Sequence, residues 1–283
     1  MNEQDTTYRS VILAGERPGG SPLSRAFNVS ASVMVPVAGK PALARVMQAI
    51  ENSRQAGVGI ICGPSADALA TDRELQKLLR HPGFEWLAPA SGPAASALSA
   101  VEKLGQYPVL LTAGDHALLT ADIVDDFCTL AFSAAHPDRG VEGHSPTSDN
   151  GGRGYDLVIG FVPYALVKAA WPQSRRTVLK FSNGRYCGSN LFAIMNKEGR
   201  KALGFWRQAE ADRKHPWRIA RRFGIRALLL YLLRRLSLED ALGGLSTAAG
   251  CRIGHVEVGF ARAAVDVDSI EDQKLAEEIL SGE

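Results

Sequence analysis

Arg9-Ser10-Val11-Ile12-Leu13-Ala14, followed at once by Gly15-Glu16-Arg17-Pro18-Gly19-Gly20, is the stretch that decides the architecture. A short apolar run that stops at a glycine-rich turn reads as a buried strand entering a loop. Working outward, Pro41 suits the first turn of a helix whose apolar face is Leu43, Val46, Met47 and Ile50. Val58–Cys62 reads as a second strand stopped by Gly63-Pro64, and Thr71–Arg80 as a helix. Glu85–Leu87 is a short third strand. The turn Ser91-Gly92-Pro93 leads into a helix over Ala94–Leu104, and Tyr107–Thr112 is a fourth strand closed by Ala113-Gly114-Asp115. Asp122–Ala135 is a helix. Regular alternation of strand and helix predicts βαβ units and a mostly parallel sheet.

Beyond position 135 the rhythm changes. His136–Gly154 is rich in Gly, Pro, Ser, Asp and Asn and reads as a loop. Tyr155–Val162 is a strand, and Thr177–Phe181 and Tyr186–Met195 are strands around Ser182-Asn183-Gly184, a hairpin signal. Residues 197–249 read as helical throughout. Arg252–Val258 and Ala264–Val267 return to strand, and Ile270–Leu280 is a last helix.

The 283 residues, 46% of them apolar, suffice for one large domain, taken here as residues 1–283 with 197–249 as a helical insertion. Lys and Arg total 32 against 30 acids, which argues against a general nucleic-acid binder. No run of 18 apolar residues exists, so no transmembrane helix is expected, and the polar amino terminus lacks a signal-peptide core. Cys62, Cys128, Cys187 and Cys251 are scattered without metal-ligand spacing. These features read as a soluble cytoplasmic protein.

Several constellations can carry chemistry. Backbone N–H groups of the Gly15–Gly20 loop can cradle phosphates, with Arg17 and Arg25 adding charge. An ordinary strand-to-helix turn is the bland alternative; the loop is neither a P-loop nor GxGxxG. Asp115 follows an apolar strand, where open α/β sheets bind ligands, and can hold Mg²⁺ alongside substrate phosphates, or else cap the next helix. In Val265-Asp266-Val267-Asp268, alternation puts both carboxylates on one side, although Asp268 can also cap the helix starting near Ile270. Arg175 and Arg176 suit a phosphate, while Gly188, Ser189 and Asn190 make a small polar face within a strand. Cys187 lacks a histidine at a telling spacing and reads as a buried thiol. Between Arg200 and Arg235 stand 11 Lys/Arg and two acids, a local charge of +9 against −7 for the rest. That stretch is either a helical subdomain with a solvated basic face or a surface for peripheral membrane contact.

Together, Leu13-Ala14-Gly15, Pro36-Val37-Ala38-Gly39-Lys40-Pro41-Ala42-Leu43, Gly114-Asp115-His116-Ala117-Leu118-Leu119 and Asp266-Val267-Asp268-Ser269-Ile270-Glu271-Asp272 resemble the MobA-like nucleotidyltransferase superfamily. They stand in the order of its LAGG loop, PxxGKPxL helix start, GDxPLL aspartate and closing DVDTPED. The resemblance implies a three-layer, Rossmann-like α/β fold of the nucleotide-diphospho-sugar transferase type, with a mixed, mostly parallel sheet. It implies attack by a small phosphorylated acceptor on the α-phosphorus of a nucleoside triphosphate, with pyrophosphate leaving. Leu13, Ala14, Gly15, Glu16 and Arg17 would hold the triphosphate, and Ser91, Gly92, Pro93 and Ser96 would lie near the base. Arg17, Arg25 and Asp115 would serve catalysis; Arg175, Arg176, Gly188, Ser189 and Asn190 the acceptor; and Asp115, Asp266 and Asp268 the Mg²⁺. Two positions depart from the pattern: Glu16 replaces the second glycine of LAGG, and Ser32 stands where the family has a lysine. They leave open a nucleotide-binding protein with impaired catalysis. A nucleotide-sugar glycosyltransferase on the same fold is a further alternative.

Overall fold

The computed structural model describes residues 7–16, 19–139, 154–212 and 225–282. β1 (Tyr8–Leu13) lies between β4 (Ala56–Cys62) and β6 (Val109–Ala113) and is parallel to both. β5 (Glu85–Leu87) adds in parallel beyond β4. On the other side of β6 comes the long β9 (Gly184–Ile194), antiparallel to both β6 and β7 (Leu157–Pro163). β10 (Ile253–Glu257) closes that edge parallel to β7, and β8 (Leu179–Phe181) pairs with β9. Among the described residues the result is one mixed eight-stranded sheet in the order β10-β7-β9-β6-β1-β4-β5, with β8 off this path beside β9. A separate two-stranded ribbon joins β2 (Pro36–Val37) to β3 (Lys40–Pro41).

The central strands are apolar on both faces because both faces are covered. Tyr8 and Ile12 of β1 face one layer, built from α2 (Ala42–Glu51) and α6 (Ala121–Ala135). Val11 faces the other, built from α5 (Pro93–Leu104), α8 (Arg200–Ala211) and α10 (Leu238–Ala249). This is the expected three-layer α/β arrangement. All four cysteines are buried, free thiols. Among the described residues, no helix is long and apolar enough to cross a membrane.

Four expectations need correction. The helix expected over Thr71–Arg80 is the shorter α4 (Arg73–Leu79), and a helix that was not expected, α3 (Ala66–Thr71), runs directly into it. Asp72 breaks them by capping α4, its carboxylate accepting from the Glu74 and Leu75 N–H groups. Pro41 precedes α2 as its N-cap and pairs in the ribbon rather than entering the first turn. Ala264–Val267 is not a strand: Ala261–Ala264 forms a 3₁₀ turn, and no sheet pairing follows. Residues 197–249 are not continuously helical. α8, α9 (Ile225–Leu232) and α10 are separate, and residues 233–237 leave the helix, the Arg235 and Leu236 N–H groups both donating to the Leu230 carbonyl, at 2.7 and 3.2 Å. Residues 213–224 of that stretch, and 140–153 of the expected loop, lie outside the described residues. α1 (Pro22–Ala26), α7 (Tyr164–Ala170) and α11 (Ile270–Ser281) complete the helices used below.

Candidate active site

The carboxyl ends of β1, β4 and β6 finish together. Ala14 N–H donates to the Cys62 carbonyl at 2.8 Å and Gly114 N–H to the Leu13 carbonyl at 2.8 Å, so the loops leave the sheet side by side. They open into a cleft of about 1590 Å³. One wall carries Leu13, Gly15, Glu16, Gly19 and Gly20; another carries Ser91, Gly92, Pro93 and Ser96; Asp115 and Asn190 lie between. The nucleotide-binding residues expected from sequence are thus gathered at one place, save Arg17, which lies outside the described residues, and Ala14, which is buried behind the loop.

Gly19 and Gly20 hold φ of 85° and 74°, the left-handed region that glycine enters without strain. Ser21 and Ser24 close a reciprocal capping box at the start of α1. Arg25 Nη1 donates to the Gly19 and Gly20 carbonyls at 3.0 and 3.2 Å, so it fastens the loop from behind. At the opposite wall Gly92 caps α5 without a side chain, and Pro93 fills the first helical position, where its missing N–H costs nothing. Ser96 accepts from Ala90 N–H at 2.9 Å and fixes that turn.

Asp115 and the acid pair, far apart in sequence, meet. Val267 N–H donates to the Asp115 carbonyl at 3.0 Å, which lays the 265–268 segment along the end of β6. Val265 and Val267 are buried against α11 and the β2–β3 ribbon, so both aspartates turn the other way. Neither bland reading holds: Thr120 caps α6 and Ser269 caps α11. Burial first, then the charges of Asp268 and Asp266, push the Asp115 carboxyl up to about 8. Its Oδ1 is buried with no hydrogen-bond partner. Asp266, in contrast, is held by Arg176 Nη1 at 2.7 Å and by Asn190 Nδ2 at 3.0 Å. Arg176 also pairs with Asp272. His116, wholly buried beside this cluster, is pushed down to about 4 by desolvation, against the opposing charge of Asp266, and stays neutral.

The acceptor residues expected from sequence divide. Arg176 and Asn190 serve the acid cluster, and Ser189 donates from its buried hydroxyl to the Gly160 carbonyl at 2.7 Å. Arg175 and Gly188 are exposed. Cys187 is buried, and burial raises its thiol, as expected of a structural cysteine. Sequence reading missed Trp206, Arg207 and Glu210 of α8, which line the cleft. Trp206 stacks on Phe192, and Glu210 Oε2 accepts from Ala94 N–H at 3.3 Å, at the amino end of α5. Their signal is tertiary: α8 packs on α5, and nothing in its composition announces that.

Glu16 and Ser32, the two departures from the family pattern, also meet. The Glu16 carboxylate accepts from the Ser32 backbone N–H, the amino end of the Ser32–Met34 3₁₀ turn.

A hard dication fits this cluster on its own chemistry. A buried carboxylate oxygen without a partner, facing further carboxylates, is unfavourable unless a cation joins it. Among the described residues no three His, Cys, Asp or Glu side chains form a metal site by themselves. Mg²⁺ does not need one, since it is commonly bound by one or two carboxylates plus waters and substrate phosphates.

Solved structures give the same architecture. A hypothetical transferase from Thermus thermophilus is 25% identical, with a TM-score of 0.70, over 94% of this chain and 99% of that one. A CMP:2-keto-3-deoxy-manno-octonic acid synthetase complexed with CTP shares the fold at 12% identity and a TM-score of 0.55, over 98% and 99% of the two chains. A 4-diphosphocytidyl-2C-methyl-D-erythritol synthase from Anaerococcus prevotii does so at 10% identity and a TM-score of 0.54, over 98% and 100%. No curated protein matches the sequence. The model of the MobA-like NTP transferase domain matches residues 10–179, more than half the chain, and on that match the protein belongs to this nucleotidyltransferase family.

Proposed function

We propose that the protein transfers a nucleoside monophosphate from a nucleoside triphosphate to a small phosphorylated acceptor, with Mg²⁺ held by Asp115 and Asp268. The observation that carries this reading is the buried Asp115 carboxylate, whose Oδ1 has no hydrogen-bond partner, set at the end of β6 between the glycine turn and the Ser91–Ser96 wall. Asp266 is not among the proposed ligands, because Arg176 and Asn190 occupy it. It acts instead to anchor the segment that carries Asp268. Bound there, Mg²⁺ would neutralise phosphate charge, the main demand of phosphoryl-type chemistry.

The chain's own residues position the substrates. Backbone N–H groups of the glycine turn face the triphosphate, and the turn at Ser91–Pro93 lies against the base. An acceptor oxygen attacks the α-phosphorus, the bond from that phosphorus to the β-phosphate bridging oxygen breaks, and pyrophosphate leaves. CTP, the ligand named for one solved neighbour of the same fold, is of the class proposed here. Pyrophosphate release against the four common nucleoside triphosphates, each with a panel of phosphorylated acceptors, tests the proposal. Release with one pairing and loss of it in Asp115→Asn supports it; no release from folded protein with any pairing counts against it.

Ser32, standing where the family has a lysine, favours a second reading, nucleotide binding with weak turnover, because that position supplies no positive charge for the transition state. Calorimetry separates the two: nucleotide–Mg²⁺ binding without pyrophosphate release selects the second.

A further inference from the structure

α9 turns an apolar stripe to solvent. Leu229, Leu232 and Leu233 are 53%, 68% and 64% exposed. Leu233 N–H still donates to the Leu229 carbonyl at 3.0 Å, so the helical turn continues and the three leucines, at i, i+3 and i+4, share one face. The opposite side is anchored. Tyr231 meets Phe181 of β8 edge-on at 5.9 Å, Leu236 is buried, and its carbonyl accepts from Ser182 N–H at 2.9 Å. A surface helix normally keeps its apolar face inward, so an outward leucine stripe on an anchored helix lacks its partner among the described residues.

Charge says what that partner is. Arg234 and Arg235 follow the stripe and are exposed. The sequence from Arg200 to Arg235 carries 11 Lys/Arg against Glu210 and Asp212, while the rest of the chain sums to −7. A leucine face bordered by arginines within a strongly basic stretch is complementary to an anionic lipid surface. The place in the fold is consistent with this. Pro163, the last residue of β7, pairs with Tyr186 near the start of β9, so the β8–β9 turn that anchors α9 stands at the carboxyl edge of the sheet, where the cleft also opens. We infer that the α9 face, Leu229, Leu232 and Leu233 with Arg234 and Arg235, docks the protein on an anionic phospholipid bilayer.

Co-sedimentation of the full chain with vesicles tests this, comparing phosphatidylcholine alone with equimolar phosphatidylcholine and phosphatidylglycerol. Binding to the anionic vesicles alone, weakened by salt, is expected. Reversing both arginines (R234E with R235E) should weaken partitioning at least about thirty-fold. L229S with L232S and L233S should weaken it at least about tenfold. Thermal melts of both variants check that the fold is kept, and none of the five residues lines the cleft. Equal binding to both vesicle types, or binding to neither, overturns the inference. So does a dimer in solution that dissociates in the triple leucine variant while vesicle binding is absent, which would assign the stripe to a second copy of the chain.

Discussion

Asp115→Asn should make the metal-free, nucleotide-free protein more stable while removing its activity. An aspartate in an unfolded chain titrates at about 3.9, whereas the folded site holds Asp115 at about 8. The folded state therefore keeps a proton that the unfolded state releases. The sign follows: the wild type carries a penalty that is absent near pH 4, grows as pH rises, and levels off above about pH 8. At pH 7 that penalty is at most about 4 kcal/mol, less whatever the site recovers by relaxing around the charge. Asparagine has no proton to lose, keeps the shape, and can donate from its amide to a neighbouring carboxylate. Urea or thermal unfolding in the presence of a chelator should therefore show the variant and the wild type alike near pH 4 and the variant ahead by about 1–4 kcal/mol near pH 8. With nucleotide and Mg²⁺ present the order should reverse, since only the wild type gains strongly from binding. A variant less stable than the wild type at pH 8, or a gap that does not change with pH, would refute the reasoning.

Three other outcomes are expected. Asp156 accepts from the Arg252 N–H at 2.8 Å, from Arg252 Nη2 at 2.7 Å and from Asn196 at 2.9 Å, which hold its carboxyl below the usual range; Asp156→Asn should cost about 2–3 kcal/mol at pH 7, and the wild type should lose that advantage as pH falls below about 4, both read from urea midpoints. Glu16→Gly should lower the KM for the nucleoside triphosphate by about tenfold, measured by pyrophosphate release; an unchanged KM would place Glu16 clear of the phosphates. Glu210→Ala should raise that KM with kcat nearly held, the mark of lost uniform binding, and equal KM values would remove α8 from the binding wall.

The half of the fold that alternates strand and helix was legible because each element carries its own signal. β1, β4, β5 and β6 are apolar runs ending in Gly, Pro or Asp, and α2, α5 and α6 carry helical spacing. The errors fall where local pattern is weak. Asp72 reads as one more polar residue on a helix face, yet its extended backbone ends one helix and its carboxylate caps the next. Val265–Asp268 alternates like a strand, and its valines are indeed buried and its aspartates turned out, but the alternation is satisfied by packing on α11 and the ribbon, without a sheet. Periodicity reports which side is buried, not what buries it.

The candidate site shows the same division. Asp115, Asp266 and Asp268 were findable as motifs, and the backbone bond from Val267 to Asp115 brings them together. That Arg176 would clamp Asp266 and Asp272, or that Glu210 would reach the amino end of α5, depends on tertiary contacts between segments with no local signature. Glu16 and Ser32 carry the point furthest. In the sequence they are two departures from a family pattern, 16 residues apart. In the fold they are one contact, and the physics couples them. A carboxylate among backbone donors needs a hydrogen-bond partner, and the Ser32 N–H supplies it. A phosphate entering the glycine turn must then either displace Glu16 from that N–H or bind beside a negative charge. Each route weakens binding, so the effect of Glu16→Gly on KM measures a contact that neither residue discloses alone.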